Sequence, residues 1–219
     1  VPEKWSDWVF YQIEPAVMPK DTSKAKRKQK RPSKKNGYHL VIHQLSTNKV
    51  DTIPFVKAYE LAEESPQLML HTSGMDSTFM AGVYRYDFEA TELLPLHRSE
   101  GDYEQMAWDK AGNQAAFIAY TDTTDTRIKH YELYHWKAGL GSAKVMVNST
   151  AKWLEEDWSV NEFTQPLFSE NGAKLYFEVA PNPSLQDTSL LDEEIVNVEV
   201  WHFQDPYLYT QKEVRLKQE

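Results

Sequence analysis

Four segments of this chain repeat one pattern: "YHLVIHQL" (38–45), "GVYRYDF" (82–88), "YELYHWK" (131–137) and "VNVEVWHF" (196–203). Each alternates apolar with polar residues at period two, as a strand with one buried face does. Each follows a more apolar stretch: "DWVFYQIEP" (7–15), "PQLMLHTS" (66–73), "NQAAFIAYT" (113–121) and "AKLYFEVAP" (173–181). Each precedes a polar turn and one more strand: "KVDTIP", "ATELLPLHR", "SAKVMVNS" and "LYTQKEVRL". A unit that recurs four times limits the fold more than any other feature of the chain.

The turns recur as well. "WDKAGN" precedes the third apolar stretch and "FSENGA" the fourth, and Ala-Gly and Asn-Gly supply the positive φ of a tight hairpin. Before these turns lie short strands, "YEQMAW" (103–108) and "FTQPLF" (163–168), with "FVKAYEL" (55–61) in the same place of the second unit. The aligned anchors His43, Tyr86, Trp136 and Trp201 repeat at intervals of about 50 residues, the length of a four-stranded propeller blade. The predicted fold is all-β, a partial β-propeller of about four four-stranded antiparallel blades. Its repeats span roughly 1–54, 55–102, 103–150 and 160–219. A β-sandwich does not require the same apolar strand to return after the same turn. Helical periodicity is confined to "SPQLML" and "STAKWLEEDW", where "TAKWLEED" is expected to make one or two helical turns capped by Thr150.

The interval between anchors varies because one loop varies. It is long in the first unit, which carries the basic run 20–35, and in the fourth, "NPSLQDTSLLDEE". The run 20–35 holds nine Lys/Arg and one Asp in a chain whose net charge is −9. No aromatic residue is interleaved with these charges, and the acidic remainder repels a polyanion. The run therefore reads as a solvated loop, and no nucleic-acid partner is expected. Apolar residues at 41% and charged residues at 26% describe a globular chain, and aromatics at 13% favour pleated surfaces. No apolar run approaches the roughly 18 residues of a membrane helix, so no membrane span is expected. The sequence starts Val-Pro-Glu, which leaves a removed signal peptide or a piece of a longer chain as the expectations.

The chemistry of sites is thin. With no cysteine there is no disulfide, thiolate site or Cys nucleophile. No G-x-S-x-G elbow occurs; the nearest stretch is "HTSGM" (71–75). His39 and His43 share a strand face, but about 13 Å of rise separates them, too far for one ion. The histidines are read as strand residues at a blade surface, with no metal and no cofactor. "DTTDT" (122–126) lacks the Gly and Glu of a calcium loop and reads as a solvated hairpin tip. The chain by itself is expected not to be an enzyme.

"FSENGAKLYFEVAP" resembles the F-S-x-D-G-x-x-L-x-F blade motif of TolB-like and prolyl-oligopeptidase propellers. The end of the chain is similar to a blade end in large secreted prolyl-oligopeptidase-type serine peptidases of Bacteroidetes-like bacteria. It carries Glu193, Glu194, Val198, Glu199, Val200, Trp201, Asp205, Leu208 and Gln211, with Tyr209 where the family usually has Gln. The resemblance implies the N-terminal propeller region of a periplasmic or secreted peptidase. That region gates or orients peptide substrates for an α/β-hydrolase domain that this chain lacks. The implied partners are that domain, the remaining blades and a peptide, and open blade edges allow a homodimer. In the dipeptidyl-peptidase branch a Glu pair grips the amino terminus of the substrate; here the resemblance points to Glu155 and Glu156. The alternative is a free-standing propeller-type protein-interaction module.

Overall fold

The computed structural model describes Trp5 and residues 7–14, 30–122, 124 and 126–183. The terminal segment on which the resemblance rests, the anchor Trp201 and most of the basic run lie outside the described residues. Within them the protein is all-β, with fourteen strands and no helix.

The first six strands form one antiparallel meander: β1 (Trp8–Ile13), β2 (Tyr38–Gln44), β3 (Lys49–Leu61), β4 (Leu68–Thr72), β5 (Gly82–Asp87) and β6 (Glu92–Arg98). β3 joins what the sequence reads as two strands, "KVDTIP" and "FVKAYEL". Its first part pairs with β2 up to Tyr38↔Val56, and its second part pairs with β4 from Val56↔Thr72 onward. The two neighbours thus flank different halves of the strand. Between them Phe55 adopts φ 56°, and the Thr72 hydroxyl lies 3.1 Å from the carbonyls of both Pro54 and Phe55.

That joint folds the sheet back on itself. β1 and β5 are four positions apart in the ladder, roughly 19 Å in a flat sheet. Yet the Phe88 ring, one residue past β5, sits 4.8 Å from Trp8 and 6.2 Å from Phe10 of β1. The meander is therefore two face-to-face layers, the first holding β1, β2 and the start of β3, the second the rest of β3 with β4, β5 and β6.

A third layer follows: β7 (Asp102–Trp108), β8 (Gln114–Tyr120), β9 (Glu132–Lys137) and β10 (Lys144–Val147). The fourth holds β11 (Trp158–Val160), β12 (Leu167–Phe168), β13 (Leu175–Tyr176) and β14 (Val179–Pro181), paired β11 with β14 and β12 with β13. The stretches 163–168 and 173–181 are thus each shorter as strands than the sequence pattern suggests. Between the two ladders Asn161 Oδ1 accepts from Phe163 N, and Thr164 Oγ1 donates to Glu178 Oε2 at 2.6 Å. Side-chain bonds of this kind compete with the ladder.

Three apolar cores separate the four layers. Leu40, Ile42 and Ile53 of the first layer meet Leu68, Leu70, Tyr84 and Tyr86 of the second. Met69, Val83 and Leu96 of the second meet Tyr103, Met106, Phe117 and Trp136 of the third. Ala116, Ile118 and Leu133 of the third meet Val160, Phe168 and Leu175 of the fourth. β4 and β8 lie in the middle of the stack and are buried on both faces, which explains their near-continuous apolar runs.

The repeat is visible in register. Val9 faces His43, Leu68 faces Tyr86 and Ala115 faces Trp136, so three of the anchors occupy equivalent positions. The hairpins share one closing bond: Ala62 N to Gln67 O, Asp109 N to Gln114 O and Ser169 N to Lys174 O.

Two expectations fail. "TAKWLEED" makes successive three-residue turns, with Ala151 N bonded to Asn148 O and Leu154 N to Ala151 O. The Thr150 hydroxyl donates to Asn148 Oδ1 at 2.8 Å and caps no helix. His71 is not at a strand surface but is 4% exposed, between the second and third layers.

Candidate functional site

The second, third and fourth layers each present one strand edge to the same side: the end of β3, β7, and β11 with β12. Side chains tie these edges together. Trp108 Nε1 donates to Glu60 O at 3.2 Å, Gln165 Nε2 to Met106 O at 2.7 Å, and Gln105 Nε2 to Phe163 O at 3.3 Å. Gln105 and Gln165 hold equivalent positions in their repeats. Each spends its amide on an edge carbonyl of a neighbouring layer, which an unpaired edge strand otherwise leaves to water.

At the hairpin end of these strands is a pocket of about 430 Å³, bordered by Glu60, Glu63, Trp108, Asp109, Lys110 and Glu170 among others. The hairpin register explains why these residues meet. Glu63, Lys110 and Glu170 each stand one residue past the closing bond, so stacking the layers brings one cation between two carboxylates. Lys110 Nζ lies 3.2 Å from Glu170 and 4.0 Å from Glu63. The buried Asp109 is held by Gln114 N, which donates to its Oδ1 at 2.7 Å. Burial pushes the Glu60 carboxyl above its ordinary range. The pocket thus offers an indole wall and more carboxylate than ammonium, which suits a cation or a hydrogen-bond donor on an apolar stem.

The opposite end of the same edges carries a second set of charges. Lys129 donates to Asp102 at 2.5 Å, a bond that raises the Lys129 ammonium. Burial, then Asp102, raises the Glu104 carboxyl, with Glu162 acting in the same direction and Lys57 and Lys129 against it. Behind them Tyr103 OH donates to Ser99 O at 3.0 Å and lies 2.7 Å from His97 Nδ1. Because the single phenolic proton goes to Ser99, His97 Nδ1 is the donor in that pair. Burial holds the His97 imidazole below its usual value, with Glu132 opposing.

Glu155 and Glu156 are both solvent-exposed, in the turn that leads into β11. Neither borders the 430 Å³ pocket. Of the flanking tryptophans, Trp158 opens β11 and is half-buried, whereas Trp153 is 61% exposed and meets Phe177 edge-on at 6.2 Å. The described end of the basic run is anchored. Lys30 Nζ donates to Ser73 O and Gly74 O at 2.7 Å each and lies over the Phe55 ring. No helix of the described residues is long and apolar enough to cross a membrane.

The pocket residues escaped the sequence reading because they lie far apart in the chain, with Glu63, Lys110 and Glu170 separated by 47 and 60 positions. The signal was present in the alignment of the hairpin turns, which places Glu63, Lys110 and Glu170 in one column.

A comparison with protein-family models finds none that matches this chain, and a comparison with curated proteins finds no similar sequence.

Proposed function

We propose that the four layers are blades of a β-propeller and that the chain is the non-catalytic portion of an exported prolyl-oligopeptidase-like serine peptidase. In this reading the joined strand edges line the path of a peptide toward a hydrolase domain that lies outside these residues. The 430 Å³ pocket holds a cationic or donor group of the peptide, and the exposed Glu155 and Glu156 are available to its amino terminus. The observation that supports it best is the pocket itself, where Glu60, Trp108 and Glu170 from three successive layers meet at one end of the edges.

The test is a titration of the 219-residue chain with proline-containing peptides that have a free amino terminus. Binding is followed at the indole N–H of Trp108 by NMR, and hydrolysis by chromatography of the same samples. Expected are saturable shifts at Trp108, lost in Glu60→Gln with Glu170→Gln, and no hydrolysis. Hydrolysis that follows the purified chain, or an unmoved Trp108 at millimolar peptide, would overturn the proposal.

A further inference from the structure

The stack ends on two faces of opposite kind. Met69, Ala116 and Tyr176 hold one position of the repeat, as their cross-strand partners show: Glu60↔Met69, Ala107↔Ala116 and Leu167↔Tyr176. Met69 is fully buried in the core shared with the third layer, and Ala116 in the core shared with the fourth. Tyr176 and Leu167 face away from the third layer and are 55% and 61% exposed. The other face of each layer meets the layer before it, through Leu68, Ala115 and Leu175. In the first layer the equivalent residue is Val9, and along the same face Tyr11 is 43% and Ile13 46% exposed. Among the described residues, one kind of interface is therefore built three times, and one half of it is left open at each end of the four layers.

We infer that the Leu167–Tyr176 face of one copy docks on the Tyr11–Ile13 face of a second copy. The occupant follows from the register. Inside the molecule, the face of the Met69 type is covered each time by the face of the Val9 type of the next layer, and the one such face left uncovered among the described residues belongs to the first layer. A head-to-tail contact of this kind closes when two copies are related by a two-fold axis, so that both junctions form together. The predicted assembly is a closed dimer of eight layers. This inference stands on the layer register and is independent of the peptidase reading.

Sedimentation velocity on the 219-residue chain between 1 and 100 µM tests it. The expected result is a dimer, with Leu167→Lys/Tyr176→Lys and Tyr11→Lys/Ile13→Lys each weakening self-association at least about 100-fold while far-UV circular dichroism is unchanged. Mixing the two variants pairs the intact end face of one with the intact end face of the other. One good junction then re-forms, and association returns in the mixture alone. A wild-type monomer at 100 µM, variants that dimerise like the wild type, or a mixture that stays monomeric would each overturn the inference. The wild-type result decides even where a variant does not fold. Peptide shifts at Trp108 that persist in a monomer would separate this failure from failure of the proposed function.

Discussion

The His71 imidazole lies against the Tyr103 ring at 4.7 Å between centroids and is 4% exposed. Burial first, and the Lys57 charge second, pull its pKa down from 6.5 to about 3, with Asp102 opposing. The unfolded chain takes up this proton near pH 6.5 and the folded protein only near pH 3, so the unfolded state is favoured increasingly as pH falls between those values. Stability from this site is complete above pH 6.5 and is lost toward acid. Urea titrations should show the wild type losing roughly 3 kcal/mol more between pH 7 and pH 4 than His71→Phe does; parallel curves would contradict the assignment. Asp109 acts by a different physics. It is buried and accepts from Gln114 N, so Asp109→Ala leaves a donor unpaired and should destabilise by about 1–3 kcal/mol in the same assay. The sequence did not announce His71 as buried. It reads like the other strand histidines, and only the third layer, contributed by residues 30 positions further on, covers it.

At the scale of elements, the strands were legible because period two and the turn residues agree. "PQLMLHTS" and "NQAAFIAYT" contain the whole of β4 and β8, and both run apolar because they are covered on two sides. The fourth layer was less legible, since nothing in "NEFTQPLF" signals that Thr164 will bond Glu178 and interrupt the ladders. The break inside β3 was written as a boundary between two repeats and is present as the Phe55 joint, although the chain continues through it as one strand. β5 starts at Gly82, whose φ is 149° and where a Cβ would stand 2.1 Å from the His97 carbonyl oxygen. Gly82→Ala forces β5 and β6 apart at their first pair, Gly82↔Arg98. Roughly 2–4 kcal/mol of stability should be lost by thermal or chemical denaturation; a variant as stable as the wild type would show that the close approach is absent.

Across the described residues, successive sheets are held by interlayer cores, and at the first interface a cluster of aromatic rings adds to the aliphatic core. Phe88 meets Trp5, Trp8, Phe10 and Tyr86, all within 6.2 Å between centroids and all near edge-on. Phe88→Ala should destabilise by about 3–5 kcal/mol and raise amide exchange in β1 and β2 before it does so in β8 and β9. The repeat was legible at this scale and the pocket was not, for one reason. A repeat is written in consecutive residues, whereas Glu60, Lys110 and Glu170 become neighbours only after three layers have stacked. The stacking of the layers is measurable through interlayer nuclear Overhauser effects in the wild-type chain. Three ring contacts cross the three interfaces: Trp8 with Phe88, His71 with Tyr103, and His135 with Phe168, at 4.8, 4.7 and 6.2 Å. Stacked layers give cross-peaks for all three; cross-peaks within one layer, such as Phe117 with Tyr134 at 5.1 Å, without the three between layers would show that the layers do not stack.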